Sequence, residues 1–309
     1  MRRSSGSARV KQTVVKTTAA LLRFWYRHVR WGFGKRLVWN HVVTRLLRTP
    51  VRLEATTVFG SRMFVQFPDT VQSYVYFFGL WEPAITAYLL SSLSPGDIVI
   101  DIGANVGYDT LLATQCVGAT GQVFAIEASP TVFALLQENL RLNAVTNVTV
   151  INAAVCADVC TATVYLHDAC NLGGTTIVPS VASRRDAARE AVVPGLPLTG
   201  LVPENAILRA RLIKIDVEGA EWPVIQGFAS LLPRLSARTE LLIEVSTQAL
   251  SDHGVSLASF IDLFQSAGFH PFVIGNRYNV DMYLEPVAAN PVPWDGQTFD
   301  QIDFLFRRV

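Results

Sequence analysis

The stretch VIDIGANVGYDTLLA, residues 99–113, constrains this chain more than any other. An apolar run ends at Asp101, the chain turns through Gly103 and Gly107, and a helical pattern follows. A strand covered on both faces is continuously apolar, whereas the helix after it returns to a 3.6-residue period. From Ile98 onward that rhythm repeats. Strands are expected at Ile98–Ile102, Gln122–Ile126, Val148–Ile151, Leu212–Ile215 and 241–245, with helices starting near Val106, Ser129, Ala220 and Ser256. Such alternation predicts right-handed crossovers and a parallel sheet. Ser129 is a good N-cap with Pro130 at the first helical position, and Val132, Phe133, Leu136 and Leu140 give that helix a buried face. Two late strands, 270–275 and 301–309, flank an irregular loop, and 167–200 reads as an insertion between sheet elements.

Upstream the chain changes character. Residues 1–50 hold twelve Arg and Lys and no acid, while 51–309 hold 14 basic and 25 acidic residues, so a net charge of +1 hides a basic arm and an acidic body. A body of that sign repels a polyanion, so no nucleic-acid partner is expected. Residues 1–13 are expected to be disordered. The segment 14–31 reads as a helix with Leu21, Trp25 and His28 along one side and Arg23, Arg27 and Arg30 along another. Three readings fit it: peripheral contact with a membrane interface, an organelle transit segment, or a helix packed on the body. The expected location is accordingly cytoplasmic, with attachment to a membrane surface or organelle import as the alternatives. A hairpin follows, 51–58 with 62–67 joined by Phe59, Gly60 and Ser61, and then a helix from Pro83 that stops before Pro95. With half the residues hydrophobic the chain can bury a full core, and no run is long and apolar enough to span a bilayer. Cys116, Cys156, Cys160 and Cys170 lack zinc-site spacing and are expected as reduced, buried thiols.

The turn 101–107 lies where open α/β sheets bind ligands, yet G-A-N-V-G is not the GxGxxG of a dinucleotide site, and Asp101 would repel a pyrophosphate. An ammonium group would welcome that carboxylate. Glu127, ending the second strand, can accept both hydroxyls of a ribose. A nucleoside joined to an amino acid satisfies both, and S-adenosylmethionine is such a molecule. Asn152 at the end of the third strand is either an adenine-edge partner or a turn residue.

These residues resemble a known family. LWEP (80–83), PGDIVIDIGANVGYDTLLA (95–113), IEASP (126–130), LIKIDVEGAEWPVIQGF (212–228) and LLIEV (241–245) look, in this order, like the FkbM-type S-adenosylmethionine-dependent methyltransferases. The resemblance covers roughly 75–309. It implies a Rossmann-like, seven-stranded class I methyltransferase sheet with helices on both faces and a final antiparallel strand, preceded here by the basic helical arm and the hairpin. It also implies O-methyl transfer to a hydroxyl of a sugar, glycolipid or polyketide-type small molecule, with Asp101, Gly103, Asn105, Gly107 and Glu127 lining the cofactor. Glu82, Ala104, Tyr108, Ser129 and Asn152 complete the expected cofactor set. The division is then an arm at 1–50 and a methyltransferase domain at 51–309, made of a hairpin extension (51–74) and a core (75–309).

Methyl transfer needs an aligned acceptor oxygen and a proton acceptor, which IDVEGAE can supply beyond the fourth strand. Asp216 is the first choice as base or orienting group, Glu218 the second, and Glu221 the third. Asp216 with Glu244 could instead ligate Mg2+, and the three acids also fit mere decoration of a helix N-terminus. His167 is a further base candidate. Tyr278, Tyr283 and Trp294 could stack on a sugar or cover the sheet edge. The competing functions are a nucleotide-dependent oxidoreductase and a membrane-associated cofactor-binding module without turnover.

Overall fold

The structure, a computed structural model, describes residues 6–29, 34–168, 170–276, 279–285 and 290–309, with side chains from Val10 onward. Two compact units result, one of residues 1–83, 169–171 and 277–287, the other of 84–168, 172–276 and 288–309.

In the first unit, β1 (Val51–Thr56) pairs antiparallel with β2 (Arg62–Phe67), as the alternation predicts. The helix Gly6–His28 packs on the helix Thr70–Phe78 and on β1, burying Val15, Ala19 and Tyr26, with the Tyr26 ring against Phe77 and Phe78. Arg23 donates from Nη1 to the Glu54 carbonyl at 3.1 Å. Arg27 donates to the carbonyls of Thr56 at 2.8 Å, Val75 at 3.0 Å, Tyr76 at 3.1 Å and Phe77 at 3.2 Å. Of the three readings of 14–31, packing on the protein is thus observed, and it occupies one side of the helix; Arg30 and Trp31 lie outside the described residues. The disordered start expected over 1–13 is corrected from Gly6 onward, where the helix begins.

Arg27 closes an element the sequence pattern hides, the helix Thr70–Phe78. Asp69 caps it by accepting from the Gln72 N–H at 2.9 Å, and Gly79 ends it in the left-handed region. Every residue from Val71 to Phe78 is buried, so no amphipathic period remains to betray it. Tyr283 packs on Tyr74 and Phe78 at ring-centroid distances of 4.4 and 5.0 Å, covering this helix and not standing open to a sugar. Tyr278 lies outside the described residues.

The second unit is built on β3 (Ile98–Ile102), β4 (Gln122–Ile126), β5 (Val148–Ile151), β6 (Ala154–Val155), β7 (Cys160–Leu166), β8 (Ala188–Leu196), β9 (Leu212–Ile215), β10 (Glu240–Ser246), β11 (His270–Ile274), β12 (Val292–Pro293) and β13 (Gln301–Arg307). The main sheet runs β12-β11-β13-β10-β9-β3-β4-β5 and is flanked by helices. Strands β10, β9, β3, β4 and β5 are mutually parallel, and β13 is antiparallel to both β10 and β11. The expected seven strands are all present, and the two-residue β12 adds an eighth at the edge. Because β3, β4, β9 and β10 are parallel neighbours, their carboxyl ends lie on one side of the sheet.

Phenylalanine closes the core at the β13 end, where Phe264 and Phe306 stack with centroids 4.0 Å apart. Trp294 meets Phe304 edge-on at 5.5 Å and is used in packing. The insertion contributes more than a loop. Its β8 joins β6 and β7 in a separate three-stranded sheet, and the short helix Pro179–Arg184 follows β7. All four cysteines are unbridged thiols, but the expectation that they are buried holds only for Cys156; Cys160 and Cys170 are exposed and Cys116 is half-buried.

Candidate active site

Asp101 ends the buried run of β3 and is itself buried. Its Oδ2 accepts from the Thr110 hydroxyl at 2.5 Å, while its buried Oδ1 has no hydrogen-bond partner among the described residues. A buried carboxylate oxygen without a donor is costly unless something supplies one. Burial pushes the Asp101 carboxyl up to about 6, against the pull of the Lys214 ammonium.

The turn after Asp101 is held in unusual backbone conformations. Gly103 has φ 86°, Asn105 φ 47° and Gly107 φ 91°. A Cβ on Gly103 would meet the Asp216 carbonyl oxygen at 1.8 Å, and one on Gly107 would meet Leu136 Cδ1 at 2.6 Å. Both glycines therefore admit protein neighbours, the end of β9 in one case and the helix Pro130–Leu142 in the other. Gly103 and Ala104 donate their N–H groups to the Ile126 carbonyl at 2.9 and 3.0 Å, joining the turn to β4. Asn105 Oδ1 accepts from the Val106 N–H at 2.7 Å. Tyr108, buried in the first turn of the next helix, shares a hydroxyl hydrogen bond with Thr86 at 3.0 Å.

Glu127 follows β4 and is fixed from two sides. Asn105 N–H donates to its Oε2 at 2.9 Å and Ser129 N–H to its Oε1 at 2.8 Å. Burial still outweighs these bonds and pushes the carboxyl up to about 7. Ser129 caps the helix at Val132 N–H, 3.2 Å, as expected, and its hydroxyl also donates to Glu190 Oε2 at 2.7 Å. Glu190 additionally accepts from the Thr131 N–H at 2.9 Å, so a carboxylate from the small sheet sits at that helix's positive end. Asn152 donates from Nδ2 to the Glu127 and Ala128 carbonyls at 2.8 and 3.1 Å, which leaves its Oδ1 to accept. Glu82, buried at φ 44°, lies in the first unit, in the turn before Pro83.

Beyond β9 the acids of IDVEGAE separate into different roles. Asp216 Oδ2 accepts from Lys214 Nζ at 2.8 Å. Glu218, in the left-handed region at φ 51°, forms an ion pair with Arg185 at 2.7 Å, and its backbone carbonyl accepts from the Thr176 hydroxyl at 2.8 Å. Burial raises its carboxyl above the ordinary range, while Arg185 pulls the other way. Glu221 Oε1 takes the Gly219 N–H at 2.9 Å, and burial pushes this carboxyl up to about 7. Glu218, Gly219, Glu221, Glu244, Ser246 and Gln248 line a cleft of about 140 Å³, closed on one side by Val181, Arg184 and Arg185 of the insertion.

Glu244 stands opposite Asp303 in the β10–β13 register, and their carboxylate oxygens lie within 4.8 Å of one another, whereas Asp216 Oδ2 accepts from Lys214. Asp303 is buried and pushed up to about 7 by burial and by the Asp216 charge. His167 accepts from the Asp168 N–H at 2.8 Å through Nδ1 and lies near enough to Glu218 to act electrostatically on that carboxyl. Lys214 is the residue that the motif reading missed. One lysine inside the otherwise apolar LIKI strand was the available signal.

A family model described as Methyltransferase FkbM domain matches residues 101–271, more than half of the chain. The chain belongs to the FkbM methyltransferase domain family. The matched span of the FkbM domain starts at Asp101 and takes in Glu127, Asp216, Glu218, Glu221 and Glu244. A second model, described as protein-L-isoaspartate (D-aspartate) O-methyltransferase, matches residues 36–158. Arsenite methyltransferase of Halobacterium salinarum is 34% identical over 58 residues, which is 19% of this chain and 15% of that relative's length. Among solved structures, precorrin-6y C5,15-methyltransferase from Geobacter metallireducens aligns with a TM-score of 0.38 and 14% identity over 72% of this chain and 85% of the other. A SAM-dependent O-methyltransferase from Thermotoga maritima gives a TM-score of 0.38 and 14% identity over 83% and 78%.

Proposed function

We propose that this FkbM domain is an S-adenosylmethionine-dependent O-methyltransferase whose acceptor is a hydroxyl on a polar small molecule of sugar, glycolipid or polyketide type. The observation that carries the reading is the buried Asp101 Oδ1 at the end of β3, which lacks a donor among the described residues. An ammonium group fits that need, and a pyrophosphate does not. This disfavours the oxidoreductase alternative.

The residues present fit the cofactor. Asp101 would hold its ammonium, Glu127 its ribose hydroxyls, and Asn152 Oδ1 the amine of its adenine. Bound S-adenosylmethionine would supply a sulfonium-activated methyl group. The chain itself must then align an acceptor oxygen, exclude water and take a proton. The cleft beyond β9 and β10 suits a molecule with many hydroxyl donors, because Glu218, Glu221, Glu244, Gln248 and Ser246 offer it acceptors. Asp216 is assigned as the orienting or proton-accepting group. Its backbone packs against the Gly103 turn while Lys214 fixes its side chain. Glu218 is pinned by Arg185 and Glu221 by the Gly219 N–H, which gives both acids work in holding the cleft's shape.

Titration calorimetry with S-adenosylhomocysteine and NAD, on wild type and Asp101→Asn, tests the cofactor. Binding of the thioether nucleoside alone, weakened by about 1.5–3 kcal/mol in the variant, is expected for loss of a charge-assisted hydrogen bond. Preference for NAD overturns the reading. Transfer of labelled methyl to hydroxylated acceptors, abolished in Asp216→Ala with cofactor affinity retained, separates an enzyme from a binding module.

A further inference from the structure

We infer that the face of the N-terminal helix turned away from the hairpin is a docking surface for an anionic lipid bilayer. At about 100° per residue, Val15, Ala19 and Tyr26 fall on one side of the helix, and these are its residues buried on the protein. Val10, Val14, Leu21 and Phe24 fall within about 80° of one another on the opposite side. They are 65%, 59%, 68% and 63% exposed. The helix is therefore apolar twice over, and only one apolar face is used inside the molecule.

An exposed stripe of valine, leucine and phenylalanine running about 21 Å along a helix at 1.5 Å per residue has no place on an ordinary wetted surface. Its surroundings indicate what covers it. Lys11 and Lys16 are exposed on either flank of the stripe, and the neighbouring helical stretch exposes Arg36, Arg45 and Arg48. Residues 1–50 contain no Asp or Glu at all. Apolar side chains between basic flanks match the acyl boundary beneath an anionic headgroup layer. Arg23 and Arg27 take no part, since their guanidinium groups are turned to backbone carbonyls of the hairpin and of the helix Thr70–Phe78. No helix among the described residues is long and apolar enough to cross a membrane, so the contact is one of lying on the surface.

Co-sedimentation of the full chain with phosphatidylserine–phosphatidylcholine vesicles, and with pure phosphatidylcholine vesicles, tests this. Binding to the anionic vesicles is expected, with salt weakening it. Leu21→Ser/Phe24→Ser should lower the partition coefficient at least about tenfold, because two apolar anchors leave the interface. Both positions are exposed, so circular dichroism and the thermal midpoint should match wild type. Should that variant lose its fold, Lys11→Gln/Lys16→Gln serves instead, with the partition coefficient about fivefold or more lower. Absence of wild-type binding to anionic vesicles overturns the proposal. So does equal binding by folded variants, or a wild-type dimer in vesicle-free buffer that Leu21→Ser/Phe24→Ser abolishes, which would assign the stripe to a second copy.

Discussion

Asp101 and Lys214 stand in register across β3 and β9, and the Lys214 ammonium lies 2.8 Å from Asp216 Oδ2 and 3.3 Å from Asp109 Oδ2. Its charge also acts on Asp303. One buried cation thus serves four acids. Replacing Lys214 by Met leaves these carboxylates uncompensated, and a loss of about 3–5 kcal/mol is expected. Urea unfolding at neutral pH measures it, and a loss below about 1 kcal/mol would show that the cluster is stabilised by something else.

Acid and alkali should act oppositely on stability and on cofactor affinity. Asp101 is raised to about 6, and Glu127, Glu221 and Asp303 to about 7, each mainly by burial. A carboxyl whose folded pKa exceeds its unfolded value stabilises fully below the ordinary carboxylate range and loses that contribution as pH rises through the folded value. The thermal midpoint of the ligand-free protein should therefore fall between about pH 5 and about pH 8. Asp252, lowered to about 2 chiefly by its bond from Arg184, works in the other direction but only in stronger acid. Affinity for S-adenosylhomocysteine should instead rise with pH through about 6, because only ionised Asp101 attracts an ammonium. Calorimetry at both ends of the range checks this, and Asp101→Asn should flatten the response.

Two glycines of similar backbone conformation should tolerate alanine very differently. Gly60 at φ 90° has nothing within 4 Å of an added Cβ, whereas at Gly103, φ 86°, the Cβ would lie 1.8 Å from the Asp216 carbonyl oxygen. Gly60→Ala should cost about 1–2 kcal/mol, the strain of a left-handed residue alone. Gly103→Ala adds a backbone collision and should exceed about 4 kcal/mol or prevent folding. Comparison of the two denaturation midpoints decides the matter.

Arg27→Ala should loosen the end of the helix Thr70–Phe78. The guanidinium donates to the carbonyls of Thr56, Val75, Tyr76 and Phe77, and alanine leaves these without their donor. A loss of about 3 kcal/mol follows from stranding part-buried carbonyls. Hydrogen exchange should quicken across residues 70–78 while β9 and β10 keep their protection.

The sequence alone determined the elements whose signals are local. Continuous apolar runs marked β3, β4, β5, β9 and β10, and the Ser129–Pro130 and Ser256 starts were readable because an N-cap is decided by neighbouring residues. It also brought Asp101, Glu127 and Asp216 to strand ends. Tertiary structure decided the rest. Thr70–Phe78 has no polar face to give a period, and the insertion's strands needed partners before they were strands. Glu190 reaches the helix at Ser129 only through the separate small sheet. Lys214 could be read as an oddity in LIKI, but its four acids come from β3, the following helix, the end of β9 and β13. The N-terminal helix carries apolar residues on two sides, and the helix Thr70–Phe78 with β1 decides which side is buried, because burial depends on what the folded chain sets against a face.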